Sequence, residues 1–164
     1  MKHYQRLLMN VACAVALVFC FACAKKVKQE AIEIPAENEL NANEFQDITD
    51  PAIKAIFQDL RFDYDRFVLK PEAKKTLTNI AGWLKQNTGR RVLVEGHCDA
   101  RGTAEYNLAL GERRANSAKT FLIEQGVPEK NIATISYGKE RPTCEEAGES
   151  CYSKNRRDHF LLSK

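Results

Sequence analysis

Apolar residues are spaced very differently along three stretches of this chain. From Leu7 to Ala22 they run almost unbroken, interrupted only by Asn10, behind a start that carries Lys2 and Arg6 and no acid. From Lys25 to about Asp50 large apolar residues are few, Glu, Asn and Ala predominate, and no helical or alternating period is visible. Such a stretch cannot bury enough surface to order itself and reads as a flexible tether. About 30 residues of that kind average roughly 30 Å end to end. The segment from Pro51 to Phe57 is the part that could instead pack on the folded domain.

From Phe57 onward the pattern becomes compact. Leu60, Phe62 and Tyr64 alternate with Arg61, Asp63 and Asp65, which predicts a strand ending in acids. Pro71 suits a first helical turn, and Ala73, Leu77, Ile80 and Leu84 recur at helical spacing until Asn87 and Gly89. Trp83 lies off that stripe, as a partner contact or as packing. Residues 91–96 (RVLVEG) predict a short strand. After a loop containing Gly102, a second helix is expected over about 104–125, stopped by Gly126 with Pro128 beyond. Ile132, Thr134, Ile135 and Ser136 support a third strand before Gly138, and a loop with Cys144 and Cys151 leads to a last strand over 156–162. The fold class is α/β (α+β), in the order β-α-β-α-β-β, with two helices packed on one mixed sheet.

Length and composition narrow this only a little. The chain has 164 residues, 44% hydrophobic and 29% charged, with a formal charge of +3. That favours one domain plus appendages. The charge is too small, and the basic residues too scattered, for a nucleic-acid partner. No 20-to-50-residue repeat is present.

The N-terminal run has the parts of a secretory signal: a basic start, a short apolar core and small residues before a cysteine. A retained membrane helix is the competing reading, but the unbroken run from Val11 to Ala24 is short for the roughly 20 residues a span needs. Cys23, between Ala22 and Ala24, resembles the lipobox cysteine of bacterial lipoproteins, although Cys20 and Phe21 stand where leucine and a small residue are usual. An ordinary cleaved signal is the alternative. The expected organisation is a signal peptide (1–22), a lipidated N-terminus and tether (23–55) and a folded domain (56–164). Export permits disulfides, and Cys144 and Cys151 share one polar loop, so they are the expected pair and Cys98 the odd thiol. The alternative is that both stay reduced. Because that loop is distant from Asp99 in sequence, its reduction is expected to lower stability more than ligand affinity.

The segment Val94-Glu95-Gly96-His97-Cys98-Asp99-Ala100-Arg101-Gly102-Thr103 continues through Glu105-Tyr106-Asn107-Leu108 to Leu110-Gly111-Glu112-Arg113-Arg114-Ala115-Asn116. With Phe62-Asp63-Tyr64-Asp65 upstream, residues 136–142 (SYGKERP) downstream and Asn155-Arg156-Arg157 near the end, it closely resembles the OmpA C-terminal-like family. The resemblance covers roughly residues 57–162. It implies a β-α-β-α-β-β domain without catalysis or cofactor that binds peptidoglycan through the diaminopimelate of the stem peptide. It also implies a lipid-anchored protein of the outer membrane, facing the periplasm. Its expected partners are the periplasmic proteins of the Tol system, such as the β-propeller component.

Diaminopimelate presents an ammonium and a carboxylate on one carbon, so a binder needs an anionic and a cationic group close together. The resemblance places these roles on Asp99 and Arg114. Arginine offers a rigid donor fork that lysine does not reproduce. Leu108, Gly111, Ala115, Ala118 and Leu122 form an apolar helical stripe, which puts Arg114 at its edge beside Asn107 and Ala118 and Arg113 nearly opposite. On spacing alone, Arg114 could equally pair with Asp99 or Glu112 at the surface. Asp63 and Asp65 end the first strand, where an acid could help hold the ammonium; the resemblance favours Asp63, and a solvated strand end is the alternative. Ala100, Thr103, Asn107 and Leu110 are expected wall residues. Asn155 and Arg156 match an element near the pocket, although Asn155 could simply start the last strand. His97, Cys98 and Asp99 are consecutive, so their side chains alternate in direction and no metal site is expected. No Ser-His-Asp set, phosphate loop or catalytic carboxylate pair stands out. The rival classes are an anchor of a barrel or flagellar stator and an envelope hydrolase.

Overall fold

A computed structural model describes residues 42–164. The expected signal peptide, Cys23 and the first part of the tether lie outside the described residues. The chain runs through β1 (Phe45–Gln46), α1 (Pro51–Ile56), β2 (Leu60–Arg61), α2 (Pro71–Gln86), β3 (Val92–His97), α3 (Ala104–Glu124), β4 (Ile132–Gly138), α4 (Glu149–Asn155) and β5 (Arg157–Ser163). The strands form one mixed sheet in the order β1-β5-β3-β4, with β2 also paired to β5. β3 and β4 are parallel, whereas β5 is antiparallel to β1, β2 and β3.

Residue chemistry explains the two long helices. Pro71 occupies the first turn of α2, and Asn87 ends it by returning its amide Nδ2 to the Trp83 carbonyl at 2.8 Å. Thr103 caps α3, its hydroxyl accepting the Tyr106 amide at 3.2 Å. Ala73, Leu77, Ile80 and Leu84 of α2 and Ala115, Ala118 and Leu122 of α3 pack on Val92, Val94, Phe160 and Leu162. Both long helices therefore cover one face of the sheet. Phe45, Leu93 and Ala133 form a smaller cluster on the other.

Four expectations need correction. The tether does not extend to residue 55. Phe45 and Gln46 pair with Ser163 and Leu162, Asp50 caps α1 by accepting the Ala52 amide at 2.8 Å, and Ile48, Ile53 and Ile56 pack against the core. The few apolar residues of this stretch are enough because the edge of β5 supplies unpaired backbone. Second, the alternation at 60–65 gives only a two-residue strand. The chain turns at Asp63, where the Arg66 amide donates to its carbonyl at 3.3 Å, and Asp65 takes a left-handed φ of 54°. Third, Cys151 lies in a short helix rather than a loop. Fourth, Leu108 is half exposed, and the buried face of α3 is instead Asn107, Leu110, Gly111, Arg114, Ala115, Ala118 and Leu122. Trp83 is packing, edge-on to Phe57 with ring centroids 5.3 Å apart.

The rotation of α3 has a local cause. A Cβ on Gly96 would sit 2.0 Å from the Gly111 carbonyl oxygen, and one on Gly111 would sit 2.4 Å from Ser136 Oγ. The helix thus lies backbone to backbone on β3 and β4. That close approach turns position 114 inward, where its side chain is 0% exposed.

Candidate functional site

The end of β3, the start of α3, the 62–66 loop and Arg156, the residue after α4, converge around a pocket of about 400 Å³. Asp99, Arg101, Thr103, Tyr106, Asn107, Leu110, Arg114 and Arg156 line it together with Tyr64, Asp65, Cys98 and Gly102. A β-bulge between Gly96 and His97 lets the chain leave the sheet here, while the Cys98 amide still donates to Gly138 O at 2.7 Å. His97 faces the other side of the sheet, against Tyr137 at 5.6 Å between ring centroids, and burial lowers its pKa despite Glu95.

Asp99 is 3% exposed and its carboxylate is fully used. Oδ1 accepts the Arg101 amide at 3.1 Å and Arg101 Nε at 3.2 Å; Oδ2 accepts Arg101 Nη2 at 2.6 Å and Arg156 Nη1 at 3.1 Å. Those four bonds account for the acceptor capacity of a carboxylate. Burial alone would raise its pKa, but the Arg101 and Arg156 hydrogen bonds hold it below the usual carboxylate range.

Arg114 is a buried cation that ties loops together. Nε donates to Arg66 O at 2.8 Å, Nη1 to His97 O at 2.7 Å and Cys98 Sγ at 3.4 Å, and Nη2 to Asp63 O at 3.2 Å. Its guanidinium also stacks on Phe62 at 5.0 Å. Of its five N–H groups, one on Nη2 has no acceptor among the described residues. Burial lowers its pKa from the ordinary arginine value, opposed mainly by Cys98 and Asp158. Asp158 lies fully buried, with no hydrogen-bond partner for either oxygen among the described residues, and burial raises its pKa strongly. Burial likewise pushes the Cys98 thiol up to about 11, so it stays protonated and donates to Asn107 O at 3.3 Å.

The structure brings together Asp99, Thr103, Asn107, Leu110, Arg114 and Arg156 and leaves three other candidates out. Ala100 is exposed and off the pocket wall. The Asp63 carboxylate turns away to Lys70 at 2.5 Å, so this residue reaches the site only through its carbonyl, and Asp65 lines the pocket in its place. Asn155 is buried behind the wall, its Oδ1 accepting the Thr143 and Cys144 amides at 2.9 and 3.1 Å. Asn107 supports the rim by donating to Arg101 O at 2.7 Å and Thr103 O at 3.0 Å.

Tyr64, Arg101 and Tyr106 escape sequence reasoning because they meet only in space, whereas Asp65 is within its reach as the second acid of the strand end. Arg101 lies 4.0 Å over the Tyr64 ring and 4.6 Å over the Tyr152 ring. Tyr106 donates its hydroxyl to Asp65. The available signal was that Arg101 falls two residues after Asp99 in the same extended segment. Cys144 and Cys151 form a disulfide, with Cα atoms 5.4 Å apart, that closes the segment bearing Glu149 and Tyr152. Remote in sequence, this segment adjoins the site: Glu149 accepts from Arg156 and pairs with Arg101 at 3.5 Å.

Two long helices on one face of a mixed sheet, with a charged pocket where β3 ends, define the α+β domain. The chain belongs to the OmpA family, whose pattern matches residues 61–156. It is 49% identical over 102 residues to the peptidoglycan-associated lipoprotein of Mesorhizobium japonicum, covering 62% of this chain and 61% of that protein. The corresponding lipoprotein of Pseudomonas aeruginosa is 44% identical over 110 residues, covering 67% and 65%. The matches thus span about three fifths of these relatives' length. The crystal structure of the Burkholderia pseudomallei peptidoglycan-associated lipoprotein superposes with a TM-score of 0.63 at 33% identity, covering 65% of this chain and 90% of that one. The C-terminal domain of Helicobacter pylori MotB shares the fold, with a TM-score of 0.61 at 19% identity and coverage of 65% and 84%.

Proposed function

We propose that this protein is a lipoprotein of the outer membrane, anchored through Cys23 and facing the periplasm, that binds peptidoglycan without cleaving it. The ligand is the diaminopimelate of the stem peptide. The role is to tether outer membrane to cell wall within the Tol envelope-integrity and division system. The observation that carries this reading is one pocket wall that sets the Asp99 carboxylate beside the guanidinium groups of Arg101, Arg114 and Arg156. A zwitterionic carbon needs both charges within one pocket, and Asp99 and Arg114 line the same one. Similarity to peptidoglycan-associated lipoproteins supports the same polymer.

Incubation with purified peptidoglycan followed by sedimentation tests it. The protein should pellet with intact polymer, and soluble diaminopimelate-containing peptide should release it. Protein left in the supernatant, or soluble fragments cut from the polymer, would contradict the reading.

A further inference from the structure

Asp99 has no lone pair to spare for a ligand ammonium, since its four acceptor positions hold Arg101 and Arg156. One of these donors must leave. Arg156 is 5% exposed and fixed from two further sides, Nε donating to Phe62 O at 3.0 Å and Nη2 to Glu149. Arg101 is the surface member, its side chain one-third exposed. Both N–H groups of its Nη1 have no acceptor among the described residues.

Arg114 has a complementary shortfall. With four of five N–H groups engaged, it can give a ligand carboxylate one hydrogen bond but not a two-pronged clamp. Arg101 can complete the clamp. Its Cζ lies 4.0 Å over the Tyr64 ring and 4.6 Å over the Tyr152 ring, and Glu149 Oε2 lies 3.5 Å from Nη2. Attraction to an aromatic face does not fix a guanidinium's direction within its own plane, so it can turn while keeping both rings. Glu149 partly replaces Asp99 as its counter-charge.

We propose that Arg101 is the exchangeable positioning and specificity residue of this site. It holds the Asp99 carboxylate in place, yields that position to the ligand's ammonium, and turns against the tyrosine rings to receive the ligand's carboxylate alongside Arg114. The ligand zwitterion thereby inserts into an existing ion pair, and each charge exchanges one partner for another. No net charge is buried or lost. The inference rests on the diaminopimelate reading above.

The test compares two soluble peptides by calorimetry, one with diaminopimelate bearing its free carboxylate and one with that carboxyl amidated. The wild-type protein should prefer the free acid by about 10- to 100-fold, the effect of a charged hydrogen-bond partner. Arg101→Ala should bind the free acid more weakly and lose most of that preference. Arg101→Lys keeps the charge but loses the stacked fork, and should recover less than half of the preference on a logarithmic scale. As a check independent of variant folding, the Arg101 Nε–H resonance of wild-type protein should shift on adding the free acid, while that of Arg156 stays. If Arg101→Ala keeps the wild-type preference, or the Arg101 resonance does not move while ligand binds, the exchange is overturned and the diaminopimelate reading stands. If wild-type protein binds neither peptide, both fall.

Discussion

The two halves of α3 present the same buried face and fill it in opposite ways. Toward its C-terminus, Ala115, Ala118 and Leu122 meet the apolar core. Toward its N-terminus, Asn107 and Arg114 are buried as deeply and spend their hydrogen bonds on the carbonyls of residues 63, 66, 97, 101 and 103. The C-terminal half is held by area removed from water, which tolerates exchange of one hydrophobe for another. The N-terminal half is held largely by directional bonds to loops, with Phe62 beneath the Arg114 guanidinium as its apolar support. A buried cation organises those loops, and the pocket exists because they are organised.

Substitutions should expose this difference, beginning with the largest effect. Arg114→Ala would strip partners from one buried and two partly buried carbonyls, the buried one worth about 1–3 kcal/mol and the others less, and should destabilise the domain by roughly 3–5 kcal/mol while abolishing sedimentation with peptidoglycan. Arg114→Lys should not restore binding, because one ammonium cannot reach those divergent carbonyls. Leu122→Ala should cost about 2–4 kcal/mol, whereas Leu122→Met should cost under about 1.5 kcal/mol. Neither should change the affinity of the folded fraction. Urea unfolding and peptide titration on the same samples check all four.

Reduction of the Cys144–Cys151 disulfide comes next, at about 2 kcal/mol for so short a closed loop. Sequence distance from Asp99 suggests that affinity should be spared. Since the closed segment carries Glu149 and Tyr152 against Arg101, the structure instead leads us to expect a several-fold loss of peptide affinity. Titration with and without reductant, below the unfolding transition, separates the two outcomes.

A smaller effect belongs to the attachment of the N-terminal segment. His159 Nδ1 lies 2.7 Å from Asp59 and Nε2 3.3 Å from Asp47. The Asp59 hydrogen bond raises its pKa above the ordinary 6.5, against the opposing effect of burial. The protonated ring therefore contributes stability that is complete below pH 6.5 and is lost as pH rises through the raised value. The pair is partly exposed, so the change should stay below about 1 kcal/mol. Wild type minus His159→Ala, compared at about pH 6 and pH 9 by urea unfolding, reads it. Smallest of all is Arg113→Ala, where the exposed guanidinium only caps the Phe67 ring at 5.6 Å. Stability should move by no more than about 0.5 kcal/mol, and binding should remain within twofold.

The same contrast explains what could be read from the residues alone. Periodicity located α2, α3, β3, β4 and β5 to within a residue or two, because each carries an apolar pattern that one face of the sheet demands. It missed α4, whose only buried apolar residue is Cys151, and β1, which is two residues long. In the site, the family resemblance directed attention to Asp99 and Arg114, but spacing placed Arg114 at a helix edge because the Gly96–Gly111 contact leaves no periodic trace. The resemblance favours Asp63 over Asp65, and nothing in the strand alternation reveals the turn that sends the Asp63 carboxylate to Lys70. Arg101 leaves no pattern in the sequence, since its partners, Tyr64, Asp99, Glu149 and Tyr152, come from three separate segments.

Isothermal titration of a diaminopimelate-containing muropeptide into wild-type and Asp99→Asn protein tests the central claim most directly. The substitution keeps the shape of the side chain and removes the charge on which the ammonium depends. Wild type should bind, and Asp99→Asn should lose at least about 30-fold in affinity, the lower range for breaking a shielded charge pair. The amide spectrum of β3, β4 and the C-terminal half of α3 should be unchanged, showing that the fold persists. Equal affinity in the two proteins, with that spectrum intact, would show that the Asp99 pocket is not where peptidoglycan is held.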